Sequence, residues 1–325
     1  MTVEGGALRR FAPTAFVLLW SSAFVAAVIG VGAAPPLLLT FARFAGAGGL
    51  LALIAVLTRA RWPRGRQLGH VAVSGLLIQA VQFGTMYTAM AKGLPGGVVA
   101  LVQGLNPALI ALLAAPLLGE RIRRLQWWGF GIGTAGVLLA VSDRWSFAPA
   151  AVIFAVFGLL GLSVGTIYQK RFVADMNVFA GTAVQFLAGA PLVGLASLLT
   201  EHTGVTDWPS FGAALAWIVV VNSIGTFVLL NLMMRTGTAS QVGALFFLTP
   251  AVTAVMSWLL LGAVLTRLEL VGLALGGLGV LLVSVRPRAR PGRPGPVSAG
   301  EPPAGRSASS RPAEAAPSAS PPPAR

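Results

Sequence analysis

Apolar runs of about twenty residues alternate with short charged or turn-forming links along most of the chain. A run of that length is what a helix needs to cross the hydrocarbon core of a bilayer, and the pattern predicts ten such helices. The first covers residues 11–31. The Ala33-Ala34-Pro35-Pro36 turn leads into a second, which ends near Leu57. The third covers 68–90, the fourth runs from the Gly93–Gly97 turn to about Leu118, and the fifth ends near Ser142. Five more are predicted at 147–169, 177–200, 208–234, 239–261 and 268–285. From Arg286 on, the chain is Pro, Ala, Gly, Ser and Arg without periodicity. Such a segment cannot bury a core, and a disordered tail is expected over 286–325.

The chain also repeats itself. Residues 107–141 align without a gap on residues 250–284, 143 positions later. Pro107/Pro250, Gly119/Gly262, Arg124/Arg267, Gly129/Gly272, Gly133/Gly276 and Gly136/Gly279 are identical. Apolar composition can match Leu with Leu by chance; it does not place a Pro, four Gly and an Arg in register. The chain is therefore two related halves, 11–142 and 147–285, of five helices each.

Composition and charge sharpen this picture. The chain has 325 residues, 56% hydrophobic and 10% charged, far below the charged quarter of an ordinary soluble domain. The net charge of +14 would suggest nucleic acid in a soluble protein. Here nearly all the Arg sit in links and in the tail, so the lipid bilayer accounts for them and no nucleic-acid partner is expected. With the N-terminus (residues 1–10) in the cytoplasm, Arg9, Arg10, the four Arg of 59–66, Arg121, Arg123, Arg124, Lys170, Arg171, Arg235 and the tail Arg all fall inside. Only Lys92, Arg144 and Arg267 fall outside, as the positive-inside rule requires. Arg9-Arg10 before an apolar core looks like a secretory signal, but the core is too long and many spans follow; it is read as an uncleaved first helix. Five helices per half, with both termini on one side, makes the second half enter the membrane upside down. Inverted repeats of this kind suit alternating access in secondary transporters.

Several residues carry a family resemblance. Leu117-Leu118-Gly119-Glu120-Arg121, followed by Gln126-x-x-Gly129 and Gly136-Val137, is similar to the EamA-type branch of the drug/metabolite transporter superfamily. So are Trp20-Ser21-Ser22-Ala23-Phe24 and Arg43-Phe44. The resemblance covers residues 11–285. It implies an all-α membrane protein of ten transmembrane helices in two inverted five-helix repeats. It also implies an exporter of small polar metabolites, such as amino acids or related compounds, in a bacterial inner membrane. The second copy departs from the family pattern, with Gly262-Ala263 where Gly-Glu is common. This gives Glu120 a local role rather than a symmetric one.

The candidate site follows from polar residues inside apolar spans. Arg43 lies about seven residues, roughly 10 Å, into the second helix. An Arg at that depth costs on the order of 2.5–3.5 kcal/mol on insertion scales. It either anchors a carboxylate-bearing substrate or snorkels to the headgroups. Alignment of Thr40 with Thr182 and Phe44 with Phe186 puts Gln185 at the repeat position of Arg43. Gln79, Gln82 and Tyr87 share one side of the third helix. Gln103 and Asn106 precede Pro107 in the fourth. Tyr168, Asn222 and the aromatics Trp20 and Trp258 complete the set. Asn231 points away from Asn222, which is preferred for depth. Each Gln or Asn could equally make an interhelical hydrogen bond, and each Trp could pack or sit in an interface belt. Gly129, Gly133 and Gly136, and their copies Gly272, Gly276 and Gly279, read as a packing seam between the fifth and tenth helices.

Other classes fare poorly. There is no Cys, and there are two His. No metal set, acidic pair or nucleophile with its base emerges, so neither an enzyme nor a cofactor is expected. Glu269 reads as a surface acid beside Arg267, and no carboxylate is placed deep in a span for a proton relay. An alternative is a facilitator or exchanger importing small anionic or sugar-like metabolites. A receptor or scaffold would have no use for an inverted repeat.

Overall fold

A computed structural model describes residues 4–106, 109–110, 112–113, 124–145, 149–173, 175–202, 204–226, 229 and 248–284. Helix is the dominant structure and no strand occurs among them. In chain order the helices are α1 (Glu4–Ala33), α2 (Pro36–Leu57), α3 (Gly65–Ala91), α4 (Gly96–Gly104) and α5 (Arg124–Trp145). They continue with α6 (Pro149–Phe172), α7 (Val178–Thr200), α8 (Trp208–Thr226), α9 (Thr249–Leu261) and α10 (Arg267–Ser284). Six of these are long and apolar enough to cross a membrane: the stretch 11–33 of α1, with α2, α3, α6, α7 and α8. Pro107, the 114–123 segment with Glu120, Arg121 and Arg123, Asn231, Arg235 and the tail from 286 lie outside the described residues.

Local signals set the helix ends. Asn177 caps α7, its side-chain oxygen accepting from the backbone N–H of Phe179 and Ala180 at 3.1 Å each. Asp207 caps α8 through the N–H of Ser210, with Pro209 in the first turn. Gly262 closes α9 in the left-handed conformation, φ 65°. Thr266 and Glu269 then form a reciprocal capping box: Thr266 N–H donates to Glu269 Oε2 at 3.0 Å, and Glu269 N–H donates to Thr266 Oγ1 at 3.1 Å. This corrects the surface reading of Glu269. It is 1% exposed, because the capping box turns its carboxylate back onto the helix start.

Two departures from regular helix were not predicted. Residues 76–81 of α3 and 217–226 of α8 are π-helical, a wide turn that recurs at functional sites. Each lies in the third helix of its half, and they carry Gln79 and Asn222.

Packing follows the repeat. α2 lies along α7, α5 along α10, and α4 against α9. α1 meets α8 and α9, just as α6 meets α3 and α4. The buried positions described for α2 recur 142 residues later on α7, among them Thr40/Thr182, Arg43/Gln185, Phe44/Phe186, Ala47/Gly189 and Leu51/Val193. The seam between α5 and α10 is as tight as the glycines predict. A Cβ on Gly136 would meet Gly276 N at 2.5 Å and Gly272 O at 2.7 Å, so the two backbones touch there. Outside, Leu53, Val56, Leu57, Leu198, Leu259 and Leu281 are exposed. So continuous an apolar surface is foreign to water and fits lipid.

Candidate functional site

Arg43 is brought into position by the buried face of α2, one turn beyond Leu39 and Thr40 and next to Phe44. It is 3% exposed and does not snorkel. Its Nη1 donates to the Tyr87 hydroxyl at 2.5 Å and its Nη2 to Asn222 Oδ1 at 3.4 Å. The guanidinium carbon lies 3.9 Å from the centre of the Phe83 ring. A cation over an aromatic face is worth about 2 kcal/mol when desolvated, which offsets part of the burial. Phe83 and Tyr87 come from α3 and Asn222 from the π stretch of α8, so both halves hold this cation.

Amides extend the cluster. Gln82 Nε2 donates to Gln103 Oε1 at 3.4 Å, joining α3 to α4. Among the described residues, Arg43 Nε on α2, Gln79 Oε1 on α3 and Gln103 Nε2 on α4 are buried without a partner, as are the hydroxyls of Thr249, Thr253 and Ser257 on α9. An unpaired buried polar atom is costly, and a bound ligand is one remedy. Of the first three, two are donors and one is an acceptor.

The remaining candidates lie elsewhere. Gln185 is buried but donates to Ser74 Oγ at 2.8 Å and to Gln169 Oε1 at 2.9 Å, a separate network among α3, α6 and α7. Tyr168 pairs with His70 through the hydroxyl and Nδ1, 2.7 Å apart, and His70 stacks on Phe172 with ring centres 4.8 Å apart. Asn106 accepts from Ser163 Oγ at 2.8 Å. Trp20 is half-buried against the core beside Phe16, with ring centres 5.6 Å apart. Trp258 is 57% exposed on the bundle surface, where a lipid-facing side chain belongs.

Sequence reasoning passed over Phe83, Ser74, Gln169, Ser163 and His70. Phe83 had a readable signal: it lies one turn from both Gln79 and Tyr87, on the polar side of α3. The others become visible only when α3, α6 and α7 are packed together.

An all-helical bundle with a lipid-like exterior and a buried cation held by amides and aromatics defines a polytopic membrane protein with a polar interior. The chain belongs to the EamA-like transporter family, whose model matches residues 14–142 and again 149–285. It is thus a membrane transporter of that family. It is similar to the uncharacterized inner membrane transporter YedA of Escherichia coli (strain K12), 28% identical over 284 residues, covering 86% of this chain and 92% of that protein. It also resembles a probable terminal-alkyne amino-acid exporter of Streptantibioticus cattleyicolor, 29% identical over 297 residues, covering 84% and 92%. A probable amino-acid metabolite efflux pump of Escherichia coli (strain K12) is 26% identical over 275 residues, covering 80% and 89%. A crystal structure of 25% sequence identity superposes with a TM-score of 0.58, covering 84% of this chain and 96% of that one.

Proposed function

We propose that the protein is a secondary transporter that exports a small polar metabolite bearing a carboxylate, such as an amino acid or a derivative, by alternating access. In this reading ten spans form two inverted repeats in the inner membrane, with both termini cytoplasmic. The observation that carries the substrate class is the set of unpaired buried atoms on Arg43, Gln79 and Gln103. Arg43 Nε and Gln103 Nε2 are donors suited to a carboxylate, and Gln79 Oε1 is an acceptor suited to an ammonium group. Relatives named as amino-acid exporters support the same direction and class. Arg43, Tyr87, Asn222, Gln79, Gln82 and Gln103 are the residues assigned to the substrate. Gln185, Asn106, Tyr168 and Trp20 are assigned to the helix contacts around it.

Counterflow in proteoliposomes tests this directly. Vesicles loaded with an unlabelled amino acid should accumulate the labelled one, and amines without a carboxylate should not substitute. Beforehand, a thermal-shift panel of amino acids on the purified protein should show stabilisation by carboxylate-bearing compounds, since a ligand stabilises the state it binds. Equal stabilisation by neutral analogues would remove the carboxylate from the proposal.

A further inference from the structure

We infer that Glu201 is a lock between the two repeats, holding shut the end of the bundle where α1 turns into α2. The inference rests on the transport reading for its purpose, and on geometry for its existence.

Helix α2 starts after Pro35, which has no side-chain acceptor for the first free N–H groups of the helix. Those of Leu37 and Leu38 donate instead to the Glu201 carboxylate, at 2.7 Å to Oε1 and 2.9 Å to Oε2. Glu201 follows α7, more than 160 residues away in the other repeat. Ser197 Oγ donates to the same carboxylate at 2.7 Å and fixes its direction. At this junction Ala33 O also accepts from Thr206 N at 2.8 Å, Thr206 Oγ1 at 2.9 Å and Asp207 N at 3.3 Å. The turn after α1 is thereby fastened to the link between α7 and α8.

The repeat supplies its own control. The register that pairs Arg43 with Gln185 pairs Pro35 with Asn177, and Leu37 and Leu38 with Phe179 and Ala180. There the matching N–H groups are capped in cis by Asn177, which needs nothing from the other repeat. The backbone at the two cap positions is nearly the same, φ −56° and ψ 140° at Pro35 against φ −62° and ψ 131° at Asn177. An Asn at position 35 would therefore have served as a cap. Counting back from Glu201 in the same register gives Arg59, a cation that cannot accept these bonds. At the matching junction residues of the link between α2 and α3 and of the link between α6 and α7 line a cleft of about 430 Å³, with Arg61, Trp62, Gln67, Asp175 and Asn177 among them. One junction is fastened across the repeats by a carboxylate; its counterpart, lacking the carboxylate, holds a cleft. By the charge distribution of the links, the fastened end faces outward and the cleft faces the cytoplasm.

The chain contains no Cys, so single introduced thiols report accessibility cleanly. Ala34→Cys, buried in the fastened turn, and Met176→Cys, at the cleft, are placed singly in the full chain in nanodiscs and labelled with a maleimide. Adding Glu201→Ala should speed labelling at position 34 by about tenfold or more, since two charge-assisted bonds are lost. Labelling at position 176 should slow. Adding Pro35→Asn as well restores the missing helix cap in cis and should recover melting temperature while labelling at 34 stays fast. If Glu201→Ala leaves labelling at 34 unchanged, or if Pro35→Asn returns it to the parent rate, Glu201 is a helix cap and no lock. Should Glu201→Ala fail to fold, Glu201→Gln keeps one acceptor, and a few-fold acceleration, or its absence, decides. Labelling is read without substrate, so this result and the counterflow result stand or fall separately.

Discussion

The seam between α5 and α10 and the contact between α2 and α7 join equivalent helices of the two repeats, yet they have diverged very differently. In the seam, Gly133/Gly276, Gly136/Gly279 and Gly129/Gly272 are unchanged between copies, and at Gly136, Gly272 and Gly279 the facing backbone leaves no room for a methyl group. Along α2 and α7 the same positions are buried in both copies, but the chemistry has changed: Arg43 faces the polar cluster in one, while Gln185 is tied into a side network in the other. Where backbones touch, no side chain is tolerated in either copy, so duplication is preserved. Where side chains rather than backbones meet, the two copies are free to specialise. The asymmetry is thus the place at which the proposed site can be tested.

The largest effect should come from filling the seam. Gly136→Leu would drive a side chain into the backbone of Gly272 and Gly276, and helix packing cannot relax around a backbone clash. Loss of most monodisperse protein on size exclusion is expected. A Cβ on Gly277, in helix α10, meets nothing within 4 Å, and Gly277→Leu should leave the melting temperature within error. Equal damage from both would show that the seam is not special.

Arg43→Gln comes next, because it makes the first repeat resemble the second. The loss of a charge-assisted contact of about 1.5–3 kcal/mol should weaken carboxylate-bearing ligands roughly 10- to 100-fold in thermal-shift titrations, with neutral analogues changed far less. Tyr87→Phe keeps the ring and removes the acceptor for Arg43 Nη1. A several-fold loss is expected for the same ligands, smaller than for Arg43→Gln, because the bond removed orients the guanidinium and leaves its charge in place. An equal loss for neutral and carboxylate ligands in Arg43→Gln would move the anchor elsewhere.

Much of this was readable from the chain alone. The duplication, the helix order and the seam are local or periodic signals, and sequence carries those well. Arg43, Tyr87 and Asn222 were candidates because polar groups in apolar spans turn inward. The π stretches were not readable, since a wide turn leaves no mark on apolar periodicity. The role of Glu201 was not readable, because its partners are backbone N–H groups in the other repeat, which have no sequence signature. Glu269 misled for a related reason: a capping box can bury an acid that hydropathy places at the surface. Trp258 was grouped with the pocket on aromatic chemistry, but its face of α9 points outward.

The smallest test concerns Asp207, which sits beside the Glu201 junction but caps its own helix, as Asn177 does. Hydrogen bonds from Ser210 hold its carboxyl below the ordinary value of 3.8. A carboxyl with a depressed folded value stabilises the protein above its unfolded pKa, and that contribution disappears as pH falls through the folded value. Because the group is fully exposed, the effect is screened and small. Asp207→Asn keeps a capping oxygen but cannot titrate. Its melting temperature should therefore fall slightly less than that of the parent on acidification below the carboxylate range, by a degree or so, with the two equal near neutrality. The parent and variant share every other acid, so any larger acid loss common to both belongs to groups other than Asp207. A parent and variant that descend in parallel would mean that the Ser210 contact is not kept in the membrane-embedded protein, and that Asp207 only marks the start of α8.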